Sequence, residues 1–141
     1  MAFATYDPKQ VHVIIGGAPM GGFVDGAFVE VNFDEEQFKK VVGADGLVSR
    51  AKTNNHSGQM AVTLQATSSS NDVLSLIWNA DRRGSAGVVP ILIKDSSGRT
   101  LFAAAHAWIQ KHPDASFSKD VGERKWVFDC DEIEVFAGGN A

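Results

Sequence analysis

Four histidines, one cysteine and a run of carboxylates are the side chains of this 141-residue chain best suited to chemistry. His12, His56, His106 and His112 carry rings able to bind divalent metals. None is paired at helical HxxxH spacing and no CxxC accompanies them, so they read as ordinary surface or core histidines. His106 lies on what reads as the Phe102–Trp108 face of an apolar run, where a half-buried, hydrogen-bonded ring is expected. Cys130 alternates with Trp126 and Phe128, the setting of a packed thiol and not of an activated nucleophile. Asp131, Glu132 and Glu134 have the makings of an acid–base pair, but nothing nearby builds a pocket around them, and a solvated strand face is the simpler account. Gly16–Gly22 (GGAPMGG) lacks the Lys-Ser/Thr ending of a phosphate loop and leads into no helix. There is no G-x-S-x-G elbow. No catalytic residue, cofactor-binding residue or metal ligand is expected, and the chain does not read as an enzyme.

The elements around these residues are mostly strands. Val11–Ile15 reads as a strand ending at Gly16-Gly17, with a loop to Gly22. Ala27, Val29, Val31 and Phe33 alternate with Glu30, Asn32 and Asp34, a period of two that means one buried and one wet face. Phe38–Val42 and Leu47–Lys52 flank Gly43-Ala44-Asp45-Gly46 and form a hairpin. Its polar arms (Lys39, Lys40, Ser49, Arg50, Lys52) suggest that it projects from the core. Met60, Val62, Leu64 and Ala66 share one strand face, with Ala61, Thr63 and Gln65 on the other. One helix is expected over Asn71–Arg83, with Ser69 and Asp72 resembling a capping box, an apolar stripe of Val73, Leu74, Ile77 and Trp78, and Gly84 as its stop. Val88–Lys94 is a strand whose Pro90 asks for an edge or strand-start position. After a turn at Asp95–Gly98, Leu101–Gln110 is better read as a strand than a helix despite its alanines. A polar loop, Lys111–Gly122, precedes a last strand whose apolar parity switches from Trp126, Phe128 and Cys130 to Ile133 and Val135. That switch requires a bulge or a break near Asp131-Glu132. Ala137–Ala141 reads as a small, flexible tail. The sum is six to eight strands and one helix without βαβ alternation. This is a mainly β, antiparallel β-sandwich or barrel with one helix packed on it, in a single domain spanning residues 1–141.

Composition narrows the function class. Apolar residues make up 44% and charged residues 21%, as in folded globular chains, and the fourteen glycines fall between apolar runs as turns require. A net charge of −4, with acidic clusters at Asp34-Glu35-Glu36 and Asp129–Glu134, argues against a protein that grips nucleic acid, though not against a conduit through which it slides. A lone cysteine excludes an intrachain disulfide. Met1–Gln10 lacks the basic start and apolar core of a signal peptide, and no apolar run reaches membrane-spanning length, so assembly in a cytoplasm without direct membrane binding is expected.

Several stretches, in order, resemble one family. They are VGADG (Val42–Gly46), SGQMAVTL (Ser57–Leu64), the helix entry Ser70–Leu74, KHPD (Lys111–Asp114), and FSKD (Phe117–Asp120) followed by WVFD (Trp126–Asp129). Together they are similar to the tail tube proteins of contractile-tailed, including Mu-like, bacteriophages, across nearly the whole chain. The chain departs from that pattern at Thr53–His56, usually more acidic, and at Cys130, more often a small residue. The resemblance implies six subunits closing into a ring, with one sheet of each joining a barrel around a lumen. Rings would stack from a baseplate to a terminator inside a contractile sheath. A tape measure protein and then genomic DNA would occupy the lumen transiently. On this reading Gly43, Ala44, Asp45, Gly46 and Arg50 are candidates for the contact between rings. Glu30, Asn32, Thr63, Gln65 and Asp129 are candidates for the lumen wall, where basic residues would hold phosphates and stall passage; an outer-surface position remains open for them. The expected location is the virion tail, assembled in the host cytoplasm. The alternatives are the tube of another contractile injection or type VI secretion system, and a β-sandwich binding module. The latter normally needs exposed aromatics, whereas Trp78, Trp108 and Trp126 read as lying on apolar faces.

Overall fold

A computed structural model of the chain describes residues 3–96 and 98–139. A single 3-10 turn, Pro8–Gln10, leads into ten strands among the described residues: β1 (Val11–Ile15), β2 (Ala18–Pro19), β3 (Val29–Phe33), β4 (Phe38–Val42), β5 (Val48–Lys52), β6 (Gly58–Gln65), β7 (Val89–Asp95), β8 (Thr100–Lys111), β9 (Glu123–Cys130) and β10 (Glu134–Ala137). One helix, α1 (Ser70–Gly84), lies between β6 and β7. The count exceeds the six to eight expected because β2 interrupts the Gly16–Gly22 loop and the last strand divides in two. Every pairing is antiparallel. One large sheet runs β2-β1-β7-β8-β9-β6-β3, with β10 pairing the other half of the long β8, and β4-β5 stands apart as its own ribbon.

The core follows from the period-two pattern. Val13 and Ile15, Met60, Val62 and Leu64, Ile91 and Ile93, Ala107 and Ile109, and Trp126, Phe128 and Cys130 all bury on one face of the sheet. Burying those side chains is the main drive that curls the sheet into a partly open barrel. The edge strand β3 comes back toward β1 and β7, leaving a seam groove of about 570 Å3 lined by Val29 and Val31 on one side and Val11, Ile93 and Phe102 on the other. Gly58 is needed where the sheet crowds: a Cβ there would lie 2.2 Å from the Asn32 carbonyl oxygen and 2.7 Å from Ile133 Cδ1. Trp108 departs from expectation. It pairs with Asp129 on the face turned away from the core, because its neighbours Ala107 and Ile109 take the buried positions.

The helix closes the barrel with Leu74 fully buried and Val73, Ile77 and Trp78 packed against the core. Its start is held differently from the expected capping box. Ser69 makes no side-chain cap bond; instead the Ser68 hydroxyl accepts from the Ser70 amide at 3.2 Å and donates to the Gly21 carbonyl at 2.6 Å. Buried Asn71 donates to the carbonyls of Gln65 and Ser68, and accepts from the Trp126 indole at 2.9 Å. The stop also moves by one residue. Gly84 stays helical, and Ser85 takes the left-handed position (φ 56°), its amide bonding Asp81. Pro90 stands second in β7, beside a register shift between Val89 and Ile91, so β7 is a central strand that tolerates proline at its start. The parity switch after Cys130 is a strand break. The Ile133 amide turns to the His56 carbonyl at 3.1 Å and its side chain buries, while Val135 is exposed. Ala137 belongs to β10 and not to a loose tail. Met1, Ala2, Ser97, Asn140 and Ala141, which fall in stretches interpreted from sequence, lie outside the described residues.

Candidate functional site

The β4-β5 ribbon is the most unusual part of the molecule, since all ten of its strand residues are exposed. Its turn is built from the expected residues. The Gly43 amide bonds the Leu47 carbonyl at 2.8 Å, the Gly46 amide bonds the Gly43 carbonyl at 3.0 Å, and the Asp45 carboxylate accepts from the Leu47 amide at 3.2 Å. Gly46 sits at φ +88°, where a side chain would strain the backbone. Opposed pairs run Phe38–Lys52, Lys40–Arg50 and Val42–Val48 on one face, and Lys39–Ala51 and Val41–Ser49 on the other. The Arg50 guanidinium lies over the Phe38 ring, 4.0 Å from its centre, and stiffens the stem. The ribbon is therefore not polar throughout. Val41, Val42, Leu47 and Val48 make an exposed apolar tip above a basic stem. The polar stem masks this tip in the sequence, where its signal is the apolar pairs Val41-Val42 and Leu47-Val48 flanking the turn.

A polar neck joins the ribbon to the barrel. The Thr53 amide bonds the Gln37 carbonyl at 2.8 Å, Asn55 Nδ2 donates to Glu35 at 2.9 Å, and the Ser57 hydroxyl donates to Asp34 at 2.9 Å. Part of the acidic cluster Asp34-Glu35-Glu36 thus anchors an arm, a role its composition alone did not suggest.

The five candidate wall residues come together on one face. Register places Glu30 opposite Ala61 and Ala61 opposite Val127; it also aligns Asn32 with Gln59 and Asp129. Thr63 and Gln65 continue the same face along β6, opposite Lys125 and Glu123. This face points away from the core. Glu30 meets Lys125 at 3.8 Å, and Gln59 donates to Asp129 at 3.2 Å. Thr63 is the exception to the wet-face reading, being only 7% exposed in the single chain.

The remaining chemistry-bearing residues fall into structural roles. His106 is exposed rather than half-buried, its Nδ1 3.1 Å from an Asp131 carboxylate oxygen. The half-buried histidines are His56 and His112; the His112 ring packs 5.1 Å from that of Trp126 while its Nδ1 lies 2.9 Å from the Pro113 carbonyl. Cys130 is buried, and its thiol is pushed up to about 11 by that burial, then by the nearby charges of Asp129 and Asp131.

Residues 11–138 match the family described as "Bacteriophage PhiTE tail tube protein". The chain is 34% identical over 145 residues to "Structural protein ORF10" of Pseudomonas phage KPP10, covering 97% of this chain and 84% of that protein. Its fold is similar to the tube-terminating cap of the anti-feeding prophage (TM-score 0.68, 10% identity, 96% of this chain and 93% of the other). It is also similar to the sheath/tube terminator of an extracellular contractile injection system (TM-score 0.66, 12% identity, 97% and 100%). A chain of that system's sheath–tube complex is similar at TM-score 0.63 and 11% identity, with 94% and 92% covered.

Proposed function

The chain belongs to the bacteriophage PhiTE tail tube family, and from that premise we propose that it forms six-membered rings that stack into the inner tube of a contractile phage tail and conduct the genome during ejection. The observation that carries this reading is the β4-β5 ribbon, an arm whose ten strand residues are all exposed and whose tip is apolar. Exposed apolar surface of that kind marks an interaction site. A head-to-tail contact, in which an arm meets a different surface of an identical neighbour, grows without closing. The face bearing Glu30, Asn32, Gln65 and Asp129 is the proposed lumen wall, with Thr63 recessed in it; its carboxylates would leave phosphates unbound. The sheath, baseplate and terminator are the proposed lasting partners, and the tape measure protein and DNA the transient ones, in a virion tail assembled in the host cytoplasm. A tube of another contractile injection system is a second reading, which the shared fold with such systems supports; genes for capsid and portal proteins beside this one would decide for the phage.

Negative-stain electron microscopy of the concentrated protein tests the proposal. Hollow tubes or six-fold rings are expected. Dispersed single particles at all concentrations and salt conditions, even with a baseplate seed, would overturn it.

A further inference from the structure

A groove of about 540 Å3 lies on the outward face of the sheet, across β1, β7 and β8. Register sets its floor: Ile14 stands opposite Leu92, Leu92 opposite Ala103, and Ala103 opposite Glu134, in a row across four strands. With Ala105 alongside, the floor is apolar and low, since alanines occupy its centre. One end is rimmed by Asp131, Glu132 and Glu134, carried there by the strand break between β9 and β10. The β4-β5 ribbon has the complementary order. Its Val42–Val48 pair lies at the tip and its Lys40–Arg50 pair two residues down on the same face, about 7 Å away at the rise of a strand. Between Phe38 and Lys52 there are four basic residues and one acidic, in a chain of net charge −4. The ribbon does not fill its own groove, because all its strand residues are exposed.

We propose that the groove over Ile14, Leu92, Ala103 and Ala105 receives the β4-β5 ribbon of a second copy of this chain, with the valine tip on the apolar floor and Lys40 and Arg50 against Glu132 and Glu134. This rests on the tube reading and adds to it the surface that accepts the arm. The two surfaces differ, so each copy gives one arm and receives another, and the contact propagates. Apolar burial supplies the attraction, while the charges set register and exclude wrong partners.

The test reverses charge on each side. Lys40→Glu with Arg50→Glu, or Glu132→Lys with Glu134→Lys, is expected to reduce sedimentable assembly at least tenfold. All four changes in one chain are expected to restore it. The changes are at exposed positions, and circular dichroism verifies folding. In parallel, Leu47→Cys with Ala105→Cys is oxidised. Buried Cys130 stays out of the reaction, and a ladder of disulfide-linked copies is expected. Tubes that survive the groove reversal, with no ladder, would overturn the docking and leave the tube reading standing. A ladder without rings or tubes would uphold the docking and overturn the tube. Neither tubes nor ladder from otherwise wild-type protein would overturn both.

Discussion

At the residue scale, Asn71 is among the few buried polar side chains of the described residues, and its partners are specific. Asn71 fastens the helix start to the end of β6 and to Trp126 by three hydrogen bonds. Asn71→Ala strips those bonds and leaves the buried indole N–H unpaired, so a loss of about 2–4 kcal/mol is expected in urea unfolding. Cys130 gives a pH signature. Its thiol rises from 9.0 to about 11 in the fold. At pH 8 ionisation alone makes alkylation of the folded protein about 100-fold slower than of the unfolded chain, which mass spectrometry after iodoacetamide treatment checks. The sign for stability follows. Below the unfolded value both states keep the proton; above it the unfolded thiol ionises first, so stability falls as pH rises toward 11, by about 1.4 kcal/mol per unit at most. The wild-type unfolding midpoint should drop through this window more steeply than that of Cys130→Ala.

At the element scale, the ribbon is separable from the barrel, since β4 and β5 form a sheet of their own joined through the Asp34–Ser57 neck. Replacing residues 38–52 with a short Gly-Ser turn is therefore expected to leave a folded monomer, with a thermal midpoint within a few degrees of wild type, that forms no tubes by electron microscopy. Tubes from this variant would show that the arm is dispensable. Most elements were legible in the sequence. Strict alternation placed β3 and β6, and the spacing of Val73, Leu74, Ile77 and Trp78 placed α1, because periodicity is set by which face must be buried. Element ends were less legible. The capping box did not form because Ser69 takes a helical conformation and makes no cap bond; the hydroxyl at the helix start is that of Ser68, bonded to the Gly21 carbonyl, a partner 47 residues away that no local pattern reveals. His106 and Trp108 were assigned to the wrong face, because the register shifts along β8 change which side chains alternate inward.

For the whole molecule, charge is distributed unevenly: a basic arm, and an outward face whose carboxylates include Glu30, Glu123 and Asp129 beside Lys125. If that face lines the lumen, Glu30→Lys or Asp129→Lys should leave tubes intact by microscopy while lowering genome delivery at least tenfold. The phosphates of moving DNA would then meet cations that no carboxylate offsets, where Lys125 now faces Glu30. Undiminished delivery would place the face elsewhere.

By itself the sequence determined the fold class, the single helix and the hairpin with its glycine turn, because burial periodicity and turn chemistry are local properties of the chain, and its ordered segments carried the family resemblance. Only the tertiary structure decided what lies next to what. It brought Glu30, Asn32, Gln65 and Asp129 onto one face, recessed Thr63 within it, lined up Ile14, Leu92, Ala103 and Glu134 across four strands, and left the ribbon uncovered. Strand order and register join residues far apart in the chain, such as Ile14 and Glu134 in one row, and no spacing along the chain encodes them.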